Sequence, residues 1–388
     1  MIPFAKILTY GNIAPNEPKL YFKKIQGFST GLMALTDDGQ LYSTGRDNYG
    51  HIGGVGDSVD KWVLLNGDCE YFWTSSYGTI FKTKSNDWFF SGTLRALGTS
   101  DSLQKTFINI SSLMGIVQYN DSEPEKTNIQ ISYDGLFYHN KSVSSILYGL
   151  GKNQFYTLGN GNNSPVTSFQ QIHTTTNDYM VLNNSATLLV NTTDNAYVGT
   201  GSVQPFNASS STYTTFTNVQ SPNTYKHRFF ISSYLSYIVI KDNHMWASGV
   251  GGKLGTGVSG DASGPTTIAN YEVMAPKQLP YKTVISCSPY VTILLLNDGL
   301  YGTGSNTIGQ LTSAIPEGTA LTFQKMKLPD NVLAKDILFY GANNNTTYVC
   351  TKNDIYYCGY IAQSAGFIGH ANTNQWVKSP VISKLLGE

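Results

Sequence analysis

The sequence is poor in charge. Charged residues make up 13% of the 388 residues, against roughly a quarter in an ordinary globular chain. Basic and acidic residues balance at 25 each, and arginine occurs only at Arg46, Arg95 and Arg228. Phosphate groups bind to basic surfaces, so this balance argues against nucleic acid as a direct partner.

Cysteine is also scarce, and the four residues are too scattered for a disulfide scaffold or a Cys-x-x-Cys zinc site. Cys350 and Cys358 flank a predicted turn at 353–354. A two-residue loop would pair Cys350 with Tyr357 and point the two cysteines to opposite faces of the sheet. A three-residue loop would place them opposite each other and permit a disulfide.

Long apolar runs are missing too. No stretch approaches the roughly 20 apolar residues of a membrane span, and the first residues lack the basic region and apolar run of a secretory signal. We therefore expect neither membrane insertion nor secretion.

The usual signatures of catalysis are absent. The sequence contains no zinc-protease, phosphate-loop, dinucleotide-binding or nucleophile-elbow motif. The glycine-rich segment 249–257 follows a predicted strand and opens no helix. The six histidines show no metal-ligand spacing, and acidic residues such as Asp37, Asp38, Asp134 and Asp298 occupy turn positions. We expect a non-enzyme without a cofactor or a bound metal.

What the sequence does contain is a repeat. A run of alternating β-formers reaches a polar turn, then a short strand with an aromatic residue, and a glycine ends the unit. The clearest copies are 34–45, 238–249, 294–304 and 348–359. Turn residues such as Gly39 and Gly299 permit the positive φ of a tight hairpin.

Seven glycines close these units, 47 to 59 residues apart: Gly45, Gly92, Gly151, Gly201, Gly249, Gly304 and Gly359. A period near fifty with hairpins inside each unit is typical of a propeller blade of four short strands. The sequence therefore predicts an all-β protein, a seven-bladed β-propeller formed as a single domain by residues 1–388.

The third unit is irregular. Residues 129–138 already look like a hairpin, and a better match to the repeat follows at 147–151. An inserted hairpin or a lengthened turn would explain the 59-residue spacing.

Beyond the closing glycine, the segments 45–53, 151–159 and 304–312 share a pattern, with Asn48, Asn153 and Asn306 at its asparagine position. This pattern resembles the Leu-Tyr-x-x-Gly-x-Asn-x-x-Gly-x-Leu-Gly repeat of the regulator of chromosome condensation family. The resemblance implies a seven-bladed propeller. The founding member of that family is a nucleotide exchange factor for a small nuclear GTPase and binds chromatin. The Gly-x-x-His of the family is missing here, and neither a basic chromatin-binding tail nor an acidic exchange loop can be recognised.

Two further features concern the ends and the tryptophans. Residues 6–12 and 379–385 look like parts of one repeat, so we expect the termini to complete a shared blade and remove an open sheet edge. Trp62 and Trp376 are candidate binding residues at the propeller rim. Packing between blades is the alternative for both.

The composition favours an interaction role. Low charge with abundant Asn, Thr, Ser and Tyr, and no catalytic motif, suggests a structural propeller in a virion, such as a bacteriophage collar, tail, baseplate or capsid-surface protein. Its partners would then be other protein subunits of that assembly. The alternative is a cytoplasmic protein-binding propeller, either an exchange factor for a small GTPase or an enzyme inhibitor. A glycan-active propeller would need paired carboxylates in its channel, and the sequence does not show them.

Overall fold

The fold is described from a computed structural model. The structure describes residues 22–28, 31–54, 58–140, 143–174, 176–182, 187–192, 197–202, 212–219, 228–230, 236–241, 244–249, 251–269, 285–288, 290–343, 346–352, 354–360 and 373–379.

In the described residues, twenty-eight strands form seven antiparallel sheets, each of four strands that are consecutive in the chain. The sheets are, in chain order, β1 (Phe22–Phe28), β2 (Gly31–Thr36), β3 (Leu41–Arg46) and β4 (Ser58–Asn66); β5 (Cys69–Ser75), β6 (Gly78–Thr83), β7 (Trp88–Thr93) and β8 (Leu103–Asn109); β9 (Thr127–Ile131), β10 (Leu136–Asn140), β11 (Leu147–Gly151) and β12 (Val166–His173); β13 (Thr176–Leu182), β14 (Thr187–Thr192), β15 (Tyr197–Ser202) and β16 (Thr212–Asn218); β17 (Arg228–Phe230), β18 (Ser236–Lys241), β19 (His244–Gly249) and β20 (Ala262–Thr267); β21 (Ile285–Cys287), β22 (Val291–Leu296), β23 (Gly299–Ser305) and β24 (Thr319–Lys325); β25 (Phe339–Ala342), β26 (Thr346–Cys350), β27 (Ile355–Gly359) and β28 (Thr373–Lys378).

The seven sheets confirm the predicted all-β, seven-bladed propeller. The described helical segments are single 3-10 turns at Leu94–Leu97, Leu113–Ile116, Pro124–Lys126 and Ala334–Asp336. Among the described residues, no helix has the length and apolar character that a membrane crossing requires.

The burial of each strand follows from its place in the blade. The second strands β2, β6 and β22 are buried along their whole length, as expected for strands covered by sheets on both faces. First strands of neighbouring blades contact each other around the axis, as β1, β5 and β9 do. The fourth strands lie outermost, and β8 and β16 are half-buried or exposed throughout.

The core lies between blades rather than inside one. Phe28 and Met33 of the first blade pack with Phe72 and Phe81 of the second in one apolar cluster. A single four-stranded sheet cannot bury both of its faces, so each blade depends on its neighbours.

The first and seventh blades meet. Strand β1 contacts β25, and Trp62 and Ile25 of the first blade cluster with Tyr348 and Tyr357 of the seventh. Both sheets are complete with four consecutive strands. The segments 6–12 and 379–385, from which we expected a shared blade, lie outside the described residues except for Ser379.

The third blade corrects one interpretation. The hairpin predicted at 129–138 is not an insertion, because β9 and β10 are the first two strands of the blade itself. The extra length comes from the six-residue connection 141–146 and from the 17-residue connection 110–126, which holds two of the 3-10 turns.

The seventh blade corrects the predicted register of the cysteine hairpin. Cys350 lies opposite Ile355 rather than Tyr357, because a four-residue connection, 351–354, joins the two strands. The cysteines nevertheless face opposite ways. Cys350 packs toward the first blade, whereas the Sγ of Cys358 lies 3.4 Å from the carbonyl oxygen of Gln310 in the sixth. Both are free and buried thiols, and burial raises the pKa of each.

Candidate protein-binding face

Antiparallel strands bring two sets of loops to the same end of the propeller: those between first and second strands, and those between third and fourth strands. We call this end the tyrosine face. The turns between second and third strands and the connections between blades lie at the other end, here called the opposite face.

A serine–tyrosine turn recurs on the tyrosine face. In the sixth blade, the hydroxyl of Ser288 accepts hydrogen bonds from the amides of Tyr290 (3.2 Å) and Val291 (3.0 Å). In the second blade, Ser75 accepts one from the amide of Tyr77 at 3.0 Å. Serine hydroxyls stabilise tight turns in this way, so the tyrosine backbone is held in place before any partner arrives.

The third blade has a similar serine–tyrosine turn, in which the serine lies directly before the tyrosine in sequence. Ser132 accepts hydrogen bonds from the amides of Asp134 (3.3 Å) and Gly135 (2.9 Å). Tyr133 lies between them and is half-buried.

Three tyrosines form a continuous line across the first three blades. The ring of Tyr77 lies 5.1 Å from Tyr49 and 5.4 Å from Tyr133, tilted by 62° and 60°. These are favourable edge and tilted arrangements for aromatic rings. Tyr77 is buried, whereas Tyr49 and Tyr133 are half-exposed, so the two outer rings present the surface and the inner ring supports them.

Arg95 joins the line to the polar part of the face. Its guanidinium lies 4.5 Å from the centre of the Tyr133 ring. It donates hydrogen bonds to the carboxylates of Asp134 (2.8 Å) and Asp101 (2.6 Å) and to the amide oxygen of Gln154 (2.6 Å). Burial raises the pKa of Asp134, and the bonds from Phe155 and Arg95 oppose that rise. The arginine is thus neutralised within the protein.

Large apolar side chains also protrude from the tyrosine face. Phe155 is 41% exposed and Tyr290 is 51% exposed. The amide of Phe155 is bonded to Asp134 Oδ2 at 3.1 Å, so its loop is anchored to the turn that carries Tyr133. Rigid aromatic side chains flanked by uncharged polar groups are characteristic of protein-binding surfaces.

The loops after the third strands are held by a buried asparagine. Asn153 is fully buried, and its amide donates to the carbonyl of Asn162 (2.8 Å) and the side chain of Asn160 (3.1 Å). Its Oδ1 accepts from the amide of Leu158 at 3.0 Å. Asn306 does the same in the sixth blade, accepting from Leu311 (2.8 Å) and donating to the carbonyl of Ile315 (2.7 Å).

The first blade corrects one of the predicted equivalences. Asp47, not Asn48, occupies the position of Asn153 and Asn306, since its Oδ1 accepts from the amide of Ile52 at 3.3 Å. Asn48 is exposed. Burial raises the pKa of Asp47 to about 6. Its neighbour His51 is fully buried and packs 4.2 Å from the ring of Phe28, and burial lowers the pKa of His51 to about 4.

Each of these loops reaches the next blade. Gly159, with φ +63°, lies so close to Phe216 of the fourth blade that a Cβ would be 2.6 Å from the ring. Gly53 faces Phe107 and Gly255 faces Phe323 in the same way. The last glycine of the repeat thus provides space for an aromatic residue on the neighbouring fourth strand.

The predicted structural glycines occupy one position in the blade. All seven lie in the third strand, with φ between +82° and +147°. At Gly92 a Cβ would lie 2.4 Å from the carbonyl oxygen of Tyr77. Because glycine has no Cβ, the third strand can pass this close to the backbone of Tyr77. The turn residues Gly39 and Gly299 have φ of +97° and +153°.

Trp62 and Trp376 lie on fourth strands, where the other blades carry Phe107, Phe216 and Phe323. Trp62 is 6% exposed and packs between the first and seventh blades. Trp376 is half-buried against the cluster between the sixth and seventh blades, and its Nε1 donates to the carbonyl of Lys327 at 2.5 Å. Both tryptophans pack between blades, which was the alternative to a binding role at the rim.

Sequence reasoning missed the tyrosine face. Its signal was a serine followed within two residues by a tyrosine between the first two strands of a blade, at Ser75, Ser132 and Ser288. Among the described residues, no group of three histidines, cysteines or carboxylates is placed to hold a metal ion.

No family model matches this sequence, and no curated protein matches it. Solved structures do match. Yeast RCC1 (Prp20), in a crystal structure bound to Kap60, has a TM-score of 0.66 at 14% identity, over 88% of this chain and 83% of that one. Prp20p from Saccharomyces cerevisiae has a TM-score of 0.64 at 14% identity, over 88% of this chain and 85% of its own. Human WBSCR16 has a TM-score of 0.65 at 13% identity, over 85% and 87%.

These similarities cover most of the chain and agree with the seven sheets. Identity this low bears on the fold alone. The chain has the seven-bladed fold of the proteins built from regulator of chromosome condensation repeats.

Proposed function

We propose that this chain is a protein-binding propeller and that the tyrosine face is its docking surface. The observation that carries the proposal is the recurrence of serine-held tyrosines on one end of three blades. Side chains that are already ordered lose little entropy on binding, which favours their use as interface anchors.

The paired charges on the tyrosine face favour a partner whose contacting surface is uncharged. Arg95 is paired with Asp101 and Asp134, and Lys152 lies 3.5 Å from Asp101. Because these charges are compensated within the protein, the attraction to a partner comes from the aromatic rings and from hydrogen bonds.

The test is quantitative affinity capture from the source cells with wild type and two sets of variants. Phe155→Ala with Tyr290→Ala removes exposed rings from the tyrosine face. Leu64→Ala with Leu333→Ala removes side chains of similar exposure, 49% and 56%, from an outer strand and the opposite face. We expect the first pair to weaken a saturable protein complex about tenfold or more and the second to leave it unchanged. The reverse order would reject the assignment of the face.

A cellular setting is part of this proposal. The virion role suggested by composition has no support from the comparisons, whose similar propellers are yeast and human proteins. A cellular protein-binding propeller agrees better with them.

Nucleotide exchange on a small GTPase is a second candidate. One similar structure was reported with the binding properties of Prp20p to Gsp1p and histones. Release of a fluorescent GDP analogue from small GTPases of the same source tests this candidate directly. Acceleration at catalytic amounts of the chain would support exchange, and unchanged release would leave binding without exchange.

A further inference from the structure

The chain contains two Asn-Gly steps, and the fold gives them different surroundings. Asn66 and Gly67 lie where β4 of the first blade passes to the second blade, on the opposite face. Asn160 and Gly161 lie in the third-blade loop that Asn153 holds. In such a step the backbone nitrogen of the glycine can reach the side-chain carbonyl carbon of the asparagine, because glycine carries no Cβ that would obstruct the approach. Whether it reacts depends on how freely both groups can move.

The backbone amide of Gly67 is available for this attack. Gly67 is exposed, and among the described residues no acceptor is bonded to its amide. The side chain of Asn66 is bent back along the connection, since its Oδ1 accepts a hydrogen bond from the amide of Asp68 at 2.7 Å. This bond spans Gly67, so the carbonyl group of the asparagine side chain lies over the residue that carries the attacking nitrogen.

The second step is held in place on both sides. The amide of Gly161 donates to the carbonyl oxygen of Thr214 in the next blade at 2.9 Å. Oδ1 of Asn160 accepts from the side-chain amide of Asn153 at 3.1 Å and from the backbone amide of Asn162 at 3.3 Å. Attack there would first require the bond to Thr214 to break and the side chain to leave Asn153.

We propose that Asn66 is a site of spontaneous deamidation, at which the amide of Gly67 closes a cyclic imide that opens to aspartate or isoaspartate. Asn160 remains asparagine under the same conditions. This inference concerns the connection between the first two blades and is independent of the tyrosine face.

The reaction consumes only water. Hydroxide removes the proton from the amide of Gly67, and the nitrogen attacks Cγ of Asn66. A nitrogen–carbon bond forms, and the negative charge passes to Oδ1, where the amide of Asp68 already donates. The bond from Cγ to Nδ2 then breaks, and the nitrogen takes a proton from water, leaves as ammonia and restores the hydroxide. A water molecule opens the imide at either carbonyl group, which gives aspartate or isoaspartate.

The product changes a short junction between blades. Only residues 67–68 join β4 to β5. The far side of this junction is fixed, because the carbonyl of Asp68 accepts from the amide of Lys84 at 2.9 Å and the amide of Cys69 donates to Gly39, also at 2.9 Å. Isoaspartate inserts a carbon atom into the main chain here, and either product places a new carboxylate close to Asp68.

The experiment incubates the folded full-length chain in a mildly alkaline buffer, digests samples over time, and follows both Asn-Gly peptides by mass spectrometry with fragmentation. We expect Asn66 to deamidate about tenfold or more faster than Asn160, since the second step must first give up its hydrogen bonds. In chain unfolded with guanidinium chloride, the two rates should become similar. Equal rates in the folded chain, or faster loss of Asn160, would overturn the proposal.

Gly67→Ala is the matched variant. A Cβ at this position would lie 3.5 Å from Oε1 of Gln40, an ordinary contact, so the fold should be retained. The added methyl group lies beside the attacking nitrogen, so the variant should slow the loss of Asn66 severalfold and leave the rate at Asn160 as it was. An unchanged rate at Asn66 would show that the nitrogen of Gly67 is not the attacking group. None of these results bears on the tyrosine face.

Discussion

The backbone amide of Gly27 donates a hydrogen bond of 2.9 Å to the hydroxyl of Tyr348, across 321 residues of sequence. This bond joins the innermost strand of the first blade to the second strand of the last. A Cβ on Gly27 would lie 2.9 Å from the Tyr348 ring, so the glycine lets the tyrosine approach. The amide of Gly27 and the hydroxyl of Tyr348 thus help to join the first blade to the last.

Removing the hydroxyl tests this closure. Tyr348→Phe should lower the free energy of unfolding by about 1–2 kcal/mol, because the amide of Gly27 loses its partner in a half-buried position. Urea denaturation followed by tryptophan fluorescence measures the change. Tyr301→Phe is the control, since its hydroxyl bonds to Asp298 in a turn and should cost less. Equal losses of unfolding free energy in the two variants would show that the bond between Gly27 and Tyr348 contributes no more than the bond within a turn.

Asn153 should be the most sensitive residue of the third-blade loop. Asn153→Ala removes four hydrogen bonds and leaves buried carbonyl groups and an amide without partners. It also places alanine at a φ of +55°, which asparagine tolerates better. We expect a loss of about 2–4 kcal/mol. The neighbouring exposed Asn163→Ala should change stability by no more than about 0.5 kcal/mol.

Gly159→Ala tests the contact between a loop and the next blade. The new methyl group would collide with the ring of Phe216 at a backbone conformation that favours glycine. We expect a loss of about 2 kcal/mol. Gly161→Ala is a matched control in the same loop, because Gly161 also has a positive φ, +82°, but a Cβ there meets only Thr215 Cγ2, at 3.8 Å. A loss at Gly161 as large as at Gly159 would argue against the contact.

The buried carboxyl of Asp47 predicts a pH dependence. Its pKa in the folded chain, about 6, lies above the ordinary 3.8. Its stabilising contribution is therefore fully present below about pH 4 and is lost as the pH rises through about 6. Asp47→Asn supplies the side chain that the third and sixth blades use, and it should stabilise the protein by about 2 kcal/mol near pH 8. The gain should shrink toward about pH 4, where the carboxyl is protonated.

Urea denaturation of wild type and Asp47→Asn across this range provides the measurement. His51 has the opposite sign, since its lowered pKa makes its contribution disappear as the pH falls through about 4. His51 Nδ1 lies 3.8 Å from Asp47 Oδ1, so the difference between the two proteins reports the carboxyl together with its interaction with His51. A gain that does not vary with pH would show that Asp47 is not the titrating group.

The period of the repeat predicted the number and approximate limits of the blades because it depends on residues that act locally in the chain. Turn residues such as Gly39 and the glycines that close the third strands mark strand ends within a few residues. The register of the 348–359 hairpin could not be obtained in this way. The predicted turn at Asn353 and Asp354 was too short, and the structure uses the four-residue connection 351–354.

The candidate site was harder to predict because its parts come from different blades. Tyr49, Tyr77 and Tyr133 are separated by 28 and 56 residues in sequence, yet their rings touch in the fold. Trp62 and Trp376 were predicted to bind a partner because tryptophan is common at protein interfaces. Its burial at Trp62 depends on the seventh blade, which no local pattern reveals.

Hydroxyl-radical footprinting of the chain, alone and in its native complex, tests directly whether the partner binds at the tyrosine face. We expect Phe155 and Tyr290 to be protected from oxidation in the complex, while Leu64 and Leu333 are oxidised as fast as before. Protection of Leu333 and Ile116 on the opposite face, with Phe155 and Tyr290 unchanged, would contradict it.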